Sequence, residues 1–214
     1  MDHDAKKQGA ITLDPFRGRR LAGADGPRLV RGRSLAPLKQ AMTRDQSLLR
    51  HFLAAIAYRT AKALRDAPPA FGSFDAGHHA RTPRELVRHM SGVINYAVGT
   101  LQEPRPVLAD GATYEAEIDR LFALLRELSD AIGRASDLGD AIAERLLQGP
   151  LSDAMTHAGQ LALLRRLSGS PLPPENFFDA AIDPDRLGMD QAAPVSPDEV
   201  WPQAPKGWIP PGRR

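Results

Sequence analysis

The chain has 214 residues, of which 42% are hydrophobic and 25% are charged, a composition typical of a soluble globular domain with extra material at its ends. No run approaches the roughly 18 uninterrupted apolar residues of a membrane span, and the N-terminal residues lack the apolar segment of a secretion signal, so we expect a cytoplasmic protein. Because there is no cysteine, disulfides, thiolate metal ligands and a cysteine nucleophile are excluded.

The formal net charge of +2 is small but unevenly distributed. Residues 1–40 hold nine lysines and arginines against four aspartates, and glycines interrupt them. We interpret residues 1–38 as an irregular, basic N-terminal segment. Arginines without aromatic partners are more typical of a solvated tail than of a nucleic-acid surface, so we do not expect nucleic acid as a partner unless these arginines gather on one face.

Two amphipathic helices are predicted next. Apolar residues recur at helical spacing from Leu49 to Leu64, and Pro68 and Pro69 end that segment. In Thr82-Pro83-Arg84-Glu85, the threonine can cap a helix, the proline fits its first position and the glutamate can complete a capping box. The second helix carries His89 on or at the edge of its apolar face. That face is predicted to consist of Leu86, His89, Met90, Val93, Ala97 and Leu101.

Two more helices complete the predicted core. The third has apolar residues at core spacing from Ile118 to Ile132, with Glu117 among the charged residues on its outer face. Residues 136–148 are weaker helix, and Gly149-Pro150 predicts a break or kink before a fourth helix that runs from about 150 to Leu167. With no alternating segment, the pattern predicts an all-α fold, a four-helix bundle over residues 39–182.

Residues 183–214 form a proline-rich tail that contains both tryptophans, Trp201 and Trp208. A merely disordered tail rarely contains tryptophan. We therefore expect at least one of the two to pack against the bundle or against a partner subunit.

The candidate site comes from three helix-borne side chains. Asp153 and His157 are one helical turn apart, on the face that Leu161 and Leu164 continue, so we expect both to point inward. Bundles build metal sites from facing helices, and His89 could join them. Two imidazoles and one carboxylate suit Zn²⁺, Ni²⁺, Fe²⁺ or Mn²⁺ and leave positions open for water or substrate. The alternative is a hydrogen-bonded core histidine and an ordinary ion pair.

Several neighbouring residues have a possible supporting role. Tyr96 follows His89 by two turns and is either a proton donor or a core residue. Three polar residues flank the Asp153–His157 pair and could either cap and pack or hydrogen-bond an imidazole, namely Ser152, Thr156 and Gln160. The remaining histidines are predicted to be solvated, namely His3, His51, His78 and His79.

Two stretches resemble the DinB/YfiT-like superfamily. Residues 153–171, Asp-Ala-Met-Thr-His-Ala-Gly-Gln-Leu onward, are similar to its last-helix signature, in which an H-x-x-x-H pair precedes Gly-Gln. Residues 82–90 are similar to its second-helix segment, whose histidine is a metal ligand. By position, His89 and His157 match the family's metal histidines, Asp153 replaces the first histidine of the pair, and Ala158 stands where an arginine often follows.

This resemblance implies a DinB-like four-helix bundle with a divalent metal, often dimeric. Members of the family include thiol-dependent transferases and metal-dependent hydrolases. Two functions stay open, a metalloenzyme acting on a small-molecule substrate or thiol, and a non-catalytic metal-binding or stress-response interaction protein. A site that opens to solvent would favour chemistry, and a sealed site would favour a structural role.

Overall fold

The computed structural model describes residues 41–104, 107–108, 113–196, 201, 204 and 206, all within one unit, Gln40–Arg214. The predicted basic segment, residues 1–38, lies outside the described residues. The described chain contains no β-strand, so the all-α prediction is confirmed. Its α-helices are α1 (Arg44–Leu64), α2 (Pro83–Leu101), α3 (Tyr114–Arg134), α4 (Asp140–Leu146) and α5 (Ser152–Leu167), with a short 3₁₀ helix, Pro69–Ser73, after α1.

The first two long helices begin at complete capping boxes. The Thr82 hydroxyl accepts from the Glu85 backbone N–H, and the Glu85 carboxylate accepts from the Thr82 N–H, as predicted, with Pro83 in the first turn. Thr43 and Gln46 make the same reciprocal pair at the start of α1. Both helix starts are therefore fixed by local sequence.

The four long helices enclose one apolar core. Helices α1 and α2 each pack against both α3 and α5. The largest fully buried apolar side chains come from these helices and the turns beside them, namely Leu53, Ile56, Phe71, Met90, Ile94, Leu121, Leu125, Leu128, Ile132, Leu151 and Leu161.

Two details of the predicted faces are corrected. Glu117, predicted on the outer face of α3, is buried, and Arg120 Nη1 lies 3.1 Å from its carboxylate, which offsets the cost of burying the charge. On α2 the buried face includes Val87, Ile94 and Val98, whereas Val93 is only half-buried. The core face of α2 is thus rotated away from the predicted stripe, which leaves His89 at its edge.

At Gly149-Pro150, where the sequence predicts a break or a kink, the helix is not broken. A single π-helical turn, Leu147–Leu151, joins α4 to α5 without an intervening loop. The Ser152 N–H bonds to the Leu147 carbonyl across this wider turn, and the Ser152 hydroxyl donates to the same carbonyl at 2.6 Å. Because proline has no N–H, a locally wider turn accommodates Pro150 while the helix continues.

A buried guanidinium joins α5 to the end of α1. Arg165 donates to the carbonyls of Ala63, Arg65 and Asp66 at 3.0, 2.9 and 3.4 Å, and to Ser170. These carbonyls lie at the end of α1 or directly after it, and they have no hydrogen-bond partner within the helix. Burial lowers the pKa of Arg165, but a guanidinium stays charged, so it also complements the negative end of the helix dipole.

The chain after α5 folds back over α1. Glu175 is buried and accepts from the Tyr58 hydroxyl and from Lys62 Nζ, each at 2.6 Å. Leu187 joins the apolar core beyond the predicted end of the bundle at residue 182. Trp201 is buried with the Arg166 guanidinium 6.0 Å from its ring, so the expectation of a packed tryptophan is confirmed, whereas Trp208 lies outside the described residues.

The described helices also bear on membrane insertion. None of them combines the length and the apolar character needed to cross a bilayer.

A large-to-small substitution tests the core. Leu125 is completely buried, so Leu125→Ala should lower the free energy of unfolding by about 2–5 kcal/mol through lost burial and a residual cavity. Leu163 on α5 is 54% exposed, and Leu163→Ala should cost less than about 0.5 kcal/mol. Urea unfolding of both variants gives the comparison, and equal costs would contradict this packing of α3.

A second substitution tests the buried guanidinium. Arg165→Gln removes several charge-assisted bonds and leaves the carbonyl of the buried Ala63 unpaired, so it should cost about 3 kcal/mol. Arg145→Gln removes the same charge at an exposed position of α4 and should change the unfolding free energy by less than about 0.5 kcal/mol. If urea unfolding finds the two variants equally stable, Arg165 does not hold α5 to α1.

Candidate metal centre

The predicted trio meets between α2 and α5. One ligand atom from each of His89, Asp153 and His157 lies within 4.8 Å of the other two, so the group could hold a metal ion. Asp153 Oδ1 is 3.2 Å from His157 Nε2, and Asp153 Oδ2 is 3.9 Å from His89 Nε2. The two imidazole rings are 4.7 Å apart between centroids and nearly perpendicular. Both histidines thus turn Nε2 toward the carboxylate.

His157 is held in the orientation and tautomer that a metal ligand needs. Its Nδ1 lies 2.7 Å from Gln160 Oε1, and because a carbonyl oxygen only accepts, Nδ1 must carry the proton. When the ring carries one proton, its lone pair is then on Nε2, which is buried and makes no hydrogen bond in the described structure. An orphaned, buried imidazole nitrogen beside a carboxylate fits a divalent cation.

The π-helical turn determines where the pair begins. It brings the chain from α4 into α5 so that Asp153 lies in the first turn of α5 and His157 one turn later. Single π-helical turns recur at functional sites because they change the direction in which the following side chains point. Here the turn directs Asp153 toward α2.

Burial differs sharply among the three side chains, which corrects one expectation. His157 is buried as predicted, but the Asp153 side chain is 46% exposed and that of His89 is 36% exposed. Burial, the nearby Arg81 and His157 hold the pKa of His89 below its ordinary value, against the opposite effect of Asp153. A neutral imidazole is the form that binds a metal. The centre is therefore half-open, with its histidine on α5 inside.

Two residues of the trio border an open groove. His89 and Asp153 line a cavity of about 920 Å³, a volume within the range typical of small-molecule sites. Tyr96 lines the same cavity and is 56% exposed, so it belongs to the groove and not to the core. The other lining residues are Glu85, Arg88, Gly92, Val93, Gln148, Gly149, Pro150, Ser152 and Thr156.

The three flanking polar residues have different roles. Gln160 hydrogen-bonds the His157 imidazole, which confirms one of the two predicted alternatives. The Ser152 and Thr156 hydroxyls instead donate to the backbone carbonyls of Leu147 and Ser152, so they serve the helix. His51, His78 and His79 are exposed, as predicted, and His3 lies outside the described residues.

The sequence predicts only a capping role for Glu85, yet the Glu85 side chain also lines the groove. The signal was available in the spacing. Glu85, His89, Gly92 and Tyr96 follow one another at three- and four-residue intervals and so share one face of α2. This face, continued from His89 in both directions, forms one wall of the groove.

Comparisons with protein-family models, curated proteins and solved structures find no match to this chain. The DinB-like assignment therefore stays a prediction. The geometry of the trio stands independently of it, because it depends only on the described side chains.

The hydrogen bond from His157 gives a direct test of the centre. Gln160→Ala should weaken metal binding about 10- to 100-fold, because the ring loses the partner that fixes its tautomer and orientation. Thr156→Ala is the matched control, since its hydroxyl serves only the helix backbone. Calorimetric titration with Zn²⁺ measures both, and equal affinities in the two variants would show that Gln160 does not orient His157.

Proposed function

We propose that this chain binds a divalent metal at an open centre of two histidines and one aspartate and acts on a small molecule held in the adjoining groove. The reaction we propose is a metal-dependent hydrolysis or the transfer of a low-molecular-weight thiol. The observation that carries the proposal is the convergence of His89, Asp153 and His157, the first two of which line a cavity of about 920 Å³.

Each residue of the site has a distinct role in the proposed function. His89 and His157 supply neutral nitrogen donors, and Asp153 supplies a charged oxygen. Gln160 keeps the His157 proton on Nδ1. A bound divalent ion supplies Lewis acidity, which polarises a substrate oxygen or lowers the pKa of a bound water or thiol. Because the chain has no cysteine, any thiol in the reaction must come from a co-substrate.

Tyr96 is the proposed proton donor or substrate-orienting group. Its side chain is exposed on the groove wall formed by α2, two helical turns beyond His89. A phenol in that position can donate a hydrogen bond to a substrate lying along the groove.

The arrangement of helices supports the predicted architecture. Each of α1 and α2 packs on both α3 and α5, which is the contact pattern of a four-helix bundle. The three candidate ligands join two of these helices, α2 and α5. We propose that this is a DinB-like bundle, with the homodimer that the family resemblance implies and the cytoplasmic location that the sequence predicts.

Access to the centre favours an enzyme over the non-catalytic alternative. A structural metal site is closed by its ligands, whereas catalytic sites keep positions open. Three protein ligands, two of them more than a third exposed, leave such positions facing the groove. A metal-binding or stress-response interaction protein would have no need of that opening.

Metal content is the first test of the proposed function. The protein purified without chelating resin should contain close to one divalent ion per chain, and His157→Ala should lose most of it because the buried donor is gone. His51→Ala changes an exposed histidine of α1 and should retain the ion. Elemental analysis of the wild type and both variants measures the metal content, and equal metal content in the two variants would contradict the proposed ligand set.

The carboxylate determines which metal is preferred. Asp153→Asn keeps the size of the side chain and removes its charge, so affinity should fall roughly tenfold or more. Asp153→His should retain binding and shift preference from Mn²⁺ and Fe²⁺ toward Zn²⁺ and Ni²⁺, which favour nitrogen. Titration of each variant with each metal is the measurement. Unchanged affinity in Asp153→Asn would mean that Asp153 is only a helix-terminal carboxylate.

Activity is tested with the metal-loaded protein against two panels of substrates. The first contains activated esters and amides and tests hydrolysis, and the second contains electrophiles together with a small thiol and tests transfer. Turnover in either panel that disappears in His157→Ala and falls in Tyr96→Phe supports the enzyme. Full metal occupancy with no turnover in either panel would favour the non-catalytic alternative.

A further inference from the structure

A second, smaller cavity lies away from the metal-centre groove. It has a volume of about 180 Å³, roughly that of six liquid water molecules, and is bounded by α1, α5 and the segment after α5. None of its lining residues lines the groove of about 920 Å³. We call it the cationic cavity, because three basic side chains line it, namely Arg59, Lys62 and Arg166.

One of the three cations is already neutralised. Lys62 Nζ lies 2.6 Å from the buried Glu175 carboxylate, whose other oxygen accepts from the Tyr58 hydroxyl. Both carboxylate oxygens therefore have short bonds to the protein. Glu175 contributes little net negative charge to the cavity beyond what cancels Lys62.

The two arginines are placed differently. The Arg59 guanidinium lies 3.9 Å from the centroid of the Phe177 ring, and its Nη1 makes a weak polar contact with Met155 Sδ at 3.8 Å. Arg166 is exposed, with its guanidinium 6.0 Å from the Trp201 ring. The ion pairs among the described residues include neither arginine. A guanidinium stacked on a ring keeps its N–H edge available for a planar anion.

The rest of the lining is apolar. It consists of small residues of α5, a leucine, two prolines and an aromatic ring, namely Ala158, Gly159, Ala162, Leu172, Pro173, Pro174 and Phe177. Such walls favour hydrocarbon over a hydrated inorganic anion, because burying apolar surface is favourable and stripping water from phosphate is costly. The combination of fixed positive charge with apolar walls in a small volume selects an anion with an apolar body.

We propose that the cationic cavity binds a small organic carboxylate, with its carboxylate toward Arg59 and Arg166 and its hydrocarbon body against Leu172 and the prolines. This site is separate from the proposed metal centre and does not depend on it. Benzoate serves as the probe, because it has one planar carboxylate and an apolar ring. Benzamide has nearly the same shape without the charge, and inorganic phosphate has the charge without the apolar body.

Calorimetric or ligand-observed NMR titration of the full chain tests the proposal. Benzoate should bind, and benzamide and phosphate should each bind at least about tenfold more weakly. Arg166→Gln should weaken benzoate about tenfold, and so should Arg59→Gln, whose unfolding midpoint is measured alongside because its stacking on Phe177 is lost. Arg145→Gln removes an exposed arginine elsewhere and should leave benzoate binding unchanged.

The outcomes separate this site from the metal centre. A carboxylate can also coordinate a metal, so the titration is repeated with chelator and in His157→Ala, where benzoate affinity should not change. Loss of benzoate binding under either condition would place the ligand at the metal centre and overturn the proposal. Equal benzoate affinity in wild type and Arg166→Gln, or equal binding of benzamide and benzoate, would also overturn it. Phosphate that binds as tightly as benzoate would show a site for inorganic anions instead.

Discussion

The buried guanidinium of Arg165 is the interaction on which the position of α5 depends. It places a positive charge among neutral carbonyls at the end of α1, where the helix dipole is negative and the backbone acceptors have no helical partner. Removing that side chain would leave the carbonyl of the buried Ala63 without a partner, and an unpaired buried acceptor is costly. The axial position of α5 along α1 is set by these bonds more firmly than by apolar contacts, which are not directional.

That constraint reaches the metal centre because two of the three ligands lie on α5 and the third lies on α2. The distance of 3.9 Å between His89 and Asp153 is a distance between helices, so it changes with any sliding of α5. The 3.2 Å contact between Asp153 and His157 is internal to α5 and is insensitive to sliding. The capping box at Thr82 fixes the residue at which α2 begins, whereas Arg165 fixes the position of α5 against α1.

The sequence predicted the helices and the candidate cluster of His89, Asp153 and His157, because both depend on spacing that a helix repeats faithfully. Asp153 and His157 share a face in any α-helix, and the Thr82 box is local. Exposure was predicted less well. The exposure of Asp153 depends on a π-helical turn, which Pro150 suggests but does not specify. The burial of Glu117 depends on the Arg120 guanidinium, which could equally have pointed to solvent.

Helix α5 carries residues of both proposed sites, and the two sets are adjacent along it. Its metal ligands are Asp153 and His157, and the lining of the cationic cavity begins at the next residue, Ala158. Arg166, at the other end of that lining, is about 20 Å from Asp153 along the helix axis at 1.5 Å per residue, which exceeds the screening length of about 8 Å at physiological salt. Arg59 is closer to the ligands, because its guanidinium lies 3.8 Å from the sulfur of Met155, two residues from each of them. Coupling between the two sites would therefore run through Arg59 and the middle of α5, and not through the Arg165 bonds near its end.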